Sequence, residues 1–344
     1  MTSTAETILD VDLLKFEHGS ETQRRAVVDG TMRSLKTGFV YASADLPTRL
    51  LDDAYEVLAR FFTLPVEKKT EYVSPESHGS RGYTGVLVET SVVSETPDWK
   101  EMLNWGEQLP VGHPLRTRYP LRYQDQVFPT DEDIGIEGVS EILTEFHDCL
   151  VRLQTRFLRI IAVGIGAHET FFDTMVEHGS HWTRAIRYPP MTEAPSGNHT
   201  HLWAGEHGDI NLITALPRAT AKGLQVFVES DGNTTDARGL TGDWVDATPP
   251  EDYVIINTGI LLEHITNGLI PIGWHRVISD VNQLDERMSV VQFFHPTPST
   301  VLMPVPSTVT ADQPCRFSAI NAEDQLEQEV WEMNLIDDAR RVKD

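Results

Sequence analysis

Two textures of hydrophobic and polar positions succeed each other along the chain. Up to about residue 170, apolar residues recur at helical spacing. Val27, Val28, Met32 and Leu35 share one face of a predicted helix over 21–36. A second helix follows Pro47, with a stripe of Leu50, Leu51, Ala54, Tyr55, Leu58, Phe61 and Phe62, and ends over 64–69. The longest, over 139–165, carries Ile142, Leu143, Phe146, Leu153, Phe157, Ile160 and Ile161, a stripe that belongs in a core. Residues 7–16 read as a short opening strand, 38–41 as a strand after a glycine stop, and proline-rich 107–136 as loop.

After Gly179 the pattern changes to short runs of β-branched and aromatic residues, broken by Gly, Pro, Asn and Asp. Predicted strands lie at 182–188, 207–216, 223–229, 243–247, 252–257, 272–279 and 288–295. A last helix, over 322–342, sets Leu326, Val330, Trp331 and Leu335 on one side. Helices first and strands second, with no linker between them, predict one α+β domain over 1–344. It is mainly β, with a helical amino-terminal subregion (1–170) packed on a double-sheet jelly roll (180–300).

Composition narrows the function classes. The 344 residues are 40% hydrophobic, enough for a large core, and carry a net charge of -24 from 52 acids and 28 bases. Such a surface repels a phosphate backbone, so no nucleic-acid partner is expected. Two cysteines, Cys149 and Cys315, supply neither a disulfide framework nor a Cys-rich metal site. The first residues lack a basic region followed by an apolar run, and no stretch reaches the ~20 apolar residues of a membrane span. A soluble, cytoplasmic protein, monomeric or a small homo-oligomer, is the expectation.

The candidate chemistry lies in three stretches. Residues 205–214 read as a strand, which puts His207 and Asp209 on one face. His275 stands in Trp274-His275-Arg276-Val277, and Arg287-Met288-Ser289 opens an apolar run. Two imidazoles and one carboxylate make the facial donor set of non-haem Fe(II) oxygenases, leaving three coordination positions open. An arginine fork with a hydroxyl two residues on suits a carboxylate co-substrate. No dinucleotide-binding glycine motif, Walker loop or Gly-x-Ser-x-Gly competes with this reading.

That ordered set resembles the Fe(II)/2-oxoglutarate-dependent dioxygenases, in the branch similar to isopenicillin N synthase. Shorter matches keep the family's order: Gly38-Phe39, Phe61-Phe62, Leu64-Pro65, Arg81-Gly82-Tyr83, Asp98-Trp99-Lys100-Glu101 and Tyr188-Pro189-Pro190. The 68 positions from His207 to His275 and the 12 from His275 to Arg287 are slightly long for the family, and a loop over 231–242 could hold the first excess. The resemblance implies a double-stranded β-helix, a cupin-like jelly roll. It implies Fe(II) on His207, Asp209 and His275, and 2-oxoglutarate on Arg287, Ser289 and Tyr188, with dioxygen taking the last open position. Asp209 argues against the family's halogenases, which lack this carboxylate.

The implied activity is oxidation, most commonly hydroxylation, of a small-molecule metabolite with release of succinate and carbon dioxide, in secondary metabolism. The substrate pocket would be lined by 81–89, 190–204 and the carboxy-terminal segment. Arg184, Arg81 and His201 are the substrate candidates. For Arg184 and Arg187, whose spacing before Tyr188-Pro189-Pro190 resembles that of ethylene-forming enzymes, a structural ion pair is an equal reading. For His199 and His201 a loop pair at the barrel mouth is the better one, and His264 and His295 read as structural. Alternatives are a 2-oxoglutarate-independent oxidase, an ethylene-forming-like enzyme and a non-catalytic jelly-roll binding protein.

Overall fold

The computed structural model describes residues 8–77, 79–89, 97–194, 203–279 and 284–332. Two sheets organise them. In chain order their strands are β1 (Asp10–Asp12), β2 (Phe39–Ser43), β3 (Gly82–Thr84), β4 (Glu101–Gly106), β5 (Trp182–Tyr188), β6 (Ala204–His207), β7 (Ile213–Leu216), β8 (Leu224–Thr235), β9 (Thr241–Asp246), β10 (Tyr253–Thr258), β11 (His275–Val277) and β12 (Arg287–Phe294). The larger sheet runs β1-β2-β10-β7-β12-β5-β4-β3 and the smaller β6-β11-β8-β9. All pairs are antiparallel except β1 with β2. Together the sheets form the jelly roll, and the helices cover the outer face of the larger one.

Period-two alternation sorts the larger sheet's side chains into two cores. Val40, Ala42, Ala185, Val254, Ile256 and Val290 join the helix-side cluster. Their neighbours Phe39, Tyr41, Ile186, Tyr188, Ile255 and Val291 join Ala204, Leu224, Val226 and Val277 of the smaller sheet in the cluster between the sheets. The helix Val139–Gly164 buries Leu143, Phe146, Leu150, Leu153, Phe157 and Ile161 against the first cluster. Each such side chain contributes roughly 1.5–3 kcal/mol on burial.

A polar staple locks this helix to β12. Gln292, fully buried, donates from Nε2 to the His147 carbonyl (2.9 Å) and to Thr183 Oγ1 (2.8 Å), and accepts from Gln154 Nε2 (2.8 Å). Another fixed point is the contact of Gly38 with Gly273. Gly38 has φ 75°, and a Cβ on it would come within 2.3 Å of Gly273 Cα, two residues before His275.

Several elements differ from the sequence expectation. The opening strand is only β1, because Asp12 Oδ1 caps a helix Leu13–His18 by accepting from Lys15 N, and Leu13 and Phe16 turn inward together. Strand β4 was not expected. It is buried along its whole length, so alternation is absent and Glu101 and Asn104 masked it. The 107–136 stretch contains short helices Pro114–Arg118 and Asp131–Ile134, started by proline and by a Thr130 cap. The span 231–242 is not a loop: β8 and β9 continue into it as a hairpin with an irregularity between Glu229 and Thr234. The helix Ile260–Ile265 was also missed. The last helix is described over Ala322–Glu332, and the remainder of its predicted span lies outside the described residues. Among the described residues no helix is long and apolar enough to cross a membrane.

Replacing Gln292 by Leu leaves the buried Gln154 amide without its acceptor and takes one donor each from the His147 carbonyl and Thr183 Oγ1, which keeps His147 Nδ1 at 2.7 Å; a buried hydrogen bond lost this way costs about 1–3 kcal/mol. The variant should lose roughly 3 kcal/mol in urea denaturation. A loss under about 0.5 kcal/mol, the range of neutral surface changes, would show that the staple holds nothing.

Candidate metal centre

Residues 205–214 do not form one strand. β6 ends at His207, β7 begins at Ile213, and Asp209 lies in the connection. The imidazole and carboxylate still converge, by a different route. His207 stands directly opposite His275 in the β6–β11 pairing, with ring centroids 4.2 Å apart. The chain then bends tightly: a Cβ at Gly208 would come within 2.5 Å of Ile272 Cγ2, so the residue between the two donors has no room for a side chain. One ligand atom each from His207, Asp209 and His275 lies within 4.8 Å of the others.

Hydrogen bonds aim these groups. His207 Nδ1 meets the Gly205 carbonyl at 2.7 Å, and His275 Nδ1 meets that of Gly273 at 2.9 Å. A carbonyl only accepts, so each Nδ1 carries the proton and each Nε2 presents a lone pair. Asp209 Oδ2 accepts from Thr214 Oγ1 (2.5 Å) and Asn257 Nδ2 (2.8 Å), which leaves Oδ1 for a cation. Burial, and His275 beside it, lower the His207 pKa to about 3, so this imidazole is neutral near pH 7. Burial alone would raise the Asp209 carboxyl, but the two imidazoles, Thr214 and Asn257 hold it below its usual range. Two neutral nitrogen donors and one carboxylate, already oriented, fit Fe(II).

Deeper between the sheets, Arg287 pairs across strands with Tyr188, and Ser289 points to the same face. Arg287 is 2% exposed. It donates to Ser289 Oγ (2.8 Å) and the Ala221 carbonyl (3.2 Å), and its guanidinium lies 5.1 Å from the Tyr188 ring centroid. Burial lowers its pKa. Among the described residues no carboxylate forms an ion pair with it. A buried guanidinium without a counter-charge is costly, and an incoming anion would relieve it.

The other candidates separate. Arg187 faces the helices, paired with Glu101 and Glu286 at 2.7 Å each. Arg184 faces the interior. It donates to both Glu89 oxygens (3.0 and 3.2 Å) and to Asn104 Oδ1 (2.8 Å). Arg81 is buried and donates to the carbonyls of Ser80, Glu107 and Arg122. It lines a cavity of about 20 Å³ with Trp182, His295 and Leu326, and makes no hydrogen bond to the Arg184 group among the described residues. His201 and its loop partner His199 lie outside the described residues. His264 Nε2 meets the Ser318 carbonyl at 2.9 Å, consistent with a structural role.

Sequence reasoning missed Thr214 and Asn257, which orient Asp209, and the Glu89–Lys100–Asn104 group around Arg184. Asn257 carried a signal, as an amide in the apolar run Val254-Ile255-Ile256, whereas Glu89 entered only as the end of the 81–89 stretch expected to line the substrate pocket, with no pairing to Arg184 foreseen.

Comparison with known proteins gives this geometry a family. The model described as the 2OG-Fe(II) oxygenase superfamily matches residues 179–296, and that of the non-haem dioxygenase in morphine synthesis N-terminal region matches 10–130. A 2-oxoglutarate-Fe(II) type oxidoreductase of Aspergillus fumigatus is 30% identical over 301 residues, covering 86% of this chain and 83% of the relative. Clavatol oxidase of Penicillium crustosum is 28% identical over 301 residues, covering 83% and 84%. The crystal structure of Neurospora crassa T7H with alpha-KG and thymine superposes with a TM-score of 0.79 at 26% identity, over 96% of this chain and 98% of that one.

The chain belongs to the 2OG-Fe(II) oxygenase superfamily, consistent with its isopenicillin N synthase-like branch. It is an Fe(II)/2-oxoglutarate-dependent dioxygenase, whose cofactors are Fe(II), 2-oxoglutarate and dioxygen.

Removing one support of Asp209 tests the aiming. Thr214→Val should weaken Mn(II) or Fe(II) binding by roughly 10- to 100-fold, as loss of an outer-shell partner does. Unchanged affinity in a metal titration would show that Thr214 does not orient the carboxylate.

A second expectation is pH-dependent. Burial would raise the Glu89 carboxyl, but Arg184 and Lys100 hold it down at about 2, against an ordinary 4.5. A depressed folded pKa stabilises the fold above the unfolded value, and the contribution is lost as pH falls. Glu89→Gln should therefore cost roughly 1–3 kcal/mol at pH 7. The difference from the parent should shrink below pH 4.5, be about halved near pH 3 and be mostly gone only at about pH 2. A difference that stays constant across this range, read from paired urea midpoints, would contradict it.

Proposed function

We propose that the enzyme couples oxidative decarboxylation of 2-oxoglutarate to oxidation, most simply hydroxylation, of a small organic metabolite. His207, Asp209 and His275 hold Fe(II), while Arg287, Ser289 and Tyr188 hold the far carboxylate of 2-oxoglutarate. When bound, this pair supplies the oxidation: substrate, 2-oxoglutarate and dioxygen become oxidised product, succinate and carbon dioxide.

The observation that carries the reading is a spatial match. Three aimed donors converge between the sheets, and deeper in the same interior a buried guanidinium has no carboxylate paired with it among the described residues. A dicarboxylate bridges the two with one terminus on each. The chain's own contribution is positional. The Gly205 and Gly273 carbonyls keep both imidazoles in one tautomer, Thr214 and Asn257 keep Asp209 turned, and the apolar wall of Ile186, Val226 and Val291 excludes water. Relatives named for 2-oxoglutarate support the co-substrate over the independent oxidase. Relatives named for clavatol, homoarginine and gibberellin share no one substrate, so none is transferred.

The chain reads as one domain, because β1 to β4 from its first third complete the same sheet as β5, β7, β10 and β12. The net charge of -24 supports a protein that acts on small molecules in the cytoplasm, without nucleic acid, as a monomer or small homo-oligomer.

Arg287→Leu separates the two halves of this site. Binding of 2-oxoglutarate to the Mn(II)-loaded protein should weaken by about 100-fold or more, the scale of a lost charged bidentate contact, while Mn(II) affinity stays within about two-fold. Calorimetry that finds 2-oxoglutarate bound equally well would remove Arg287 from the anchor.

A further inference from the structure

The interior wall beside the metal centre carries charges that already cancel. Asn104, Arg184 and Val291 stand abreast on β4, β5 and β12, one level deeper than Trp182 and Phe293. Phe293 is also the cross-strand partner of Thr214, whose hydroxyl holds Asp209, so this wall lies next to the metal ligands. The Trp182 and Phe293 rings meet edge to face at 5.3 Å, and the Arg184 guanidinium lies 5.0 and 5.7 Å from their centroids.

Arg184 has both terminal nitrogens on Glu89. Lys100 lies 3.2 Å from Glu89 and 2.8 Å from Asp98, with its side chain 11% exposed. The loop that delivers Glu89 is held in an uncommon conformation. Leu87 has φ 61°, and the loop is closed by Leu87 N to the Asp98 carbonyl (3.2 Å) and Asp98 N to the Glu89 carbonyl (2.9 Å).

Among the described residues, Arg184, Lys100 and Arg287 face Glu89, Asp98 and Asp209 in this interior, three cations against three carboxylates. Fe(II) and the 2-oxoglutarate dianion add equal and opposite charge. Among the described residues the charges therefore balance before substrate enters, and a buried substrate charge would find no partner on this wall. What the wall does offer is aromatic surface at Trp182 and Phe293; the Asn104 amide behind them is fully buried, with its oxygen accepting from Trp182 Nε1 and Arg184 Nε. Glu89 keeps acceptor capacity beyond its two cations.

We propose that the substrate presents an uncharged, planar, hydrogen-bonding group to this wall, and that Glu89 sets the preference by occupying the guanidinium a substrate carboxylate would otherwise take. This rests on the Fe(II)/2-oxoglutarate reading above.

The test uses the full chain loaded with Mn(II) and 2-oxoglutarate. Binding of 2-oxoglutarate is measured first, and its failure sinks the cofactor roles rather than this inference. Calorimetric affinities are then compared for planar heteroaromatic carboxamides and their matched carboxylates, nicotinamide and nicotinate among them, and the Fe(II) enzyme is scored by succinate release with the same panel. Amides should bind at least ten-fold more tightly than their acids and give the larger release. Acids binding as well or better, or amides giving neither binding nor release above background, overturns the proposal.

Glu89→Gln supplies the charge reversal. Provided it still binds 2-oxoglutarate, its amide-to-acid affinity ratio should fall at least ten-fold, because Arg184 is then free to take the acid. An unchanged ratio overturns the role of Glu89.

Discussion

The pairing of β6 with β11 is the constraint on which the rest of the molecule depends. It sets His207 opposite His275, and two backbone carbonyls, those of Gly205 and Gly273, then turn both imidazoles. Neither histidine needs a side-chain partner to be aimed, so the tautomer is written into the main chain. The pairing works only if the chain can reach it. Gly273 must pass against Gly38, and Gly208 must pass against Ile272, before Asp209 can close the third side. The glycines and the donors are therefore one device. Backbone approach is what brings ligands 68 positions apart to within a few ångströms.

Two arginines on one sheet face show how the surroundings, rather than residue type, decide a role. Arg287 and Arg184 both point between the sheets from neighbouring strands. Arg287 has a hydroxyl, a carbonyl and an aromatic ring around it, and its positive charge is left for something that arrives. Arg184 has its fork filled by Glu89, so its charge is already spent inside the protein. The same guanidinium chemistry thus leaves one charge without an ion-pair partner among the described residues at Arg287 and one neutralised by a carboxylate at Arg184. Arg187, one residue from the turn to the other face, is a pure structural tie.

The sequence was most legible where period and motif agree. The long helix runs over Val139–Gly164 against a predicted 139–165, and the β5 and β12 boundaries fall within a residue of expectation, because buried apolar periodicity has few solutions. The donor set was legible as three residue types in order, but its local geometry was not. Alternation predicted His207 and Asp209 on one strand face, whereas they meet because the strand ends between them. Strand β4 was illegible for a related reason: with both faces covered it has no alternation to read, and its Asn104 and Glu101 pair with arginines 80 and 86 positions away in the chain. Arg184 and Arg187 could not be told apart from spacing alone, since only strand register assigns each a face.

A division of labour follows from where each group enters the chain. The donors come from 204–277 and the anchoring groups from β5 and β12, all within or beside the segment matching the oxygenase family model. The groups that close off Arg184 come from the first third: Glu89 and Asp98 from the loop after β3, and Lys100 and Asn104 from the approach to β4 and the strand itself. The two histidine donors therefore sit on the smaller sheet and the Arg184 group on the larger, and the two sets are encoded in separate stretches. The Glu89, Asp98 and Lys100 side chains of the earlier stretch make no hydrogen bond or ion pair with His207, Asp209 or His275 among the described residues, so the two sets are positioned by different contacts.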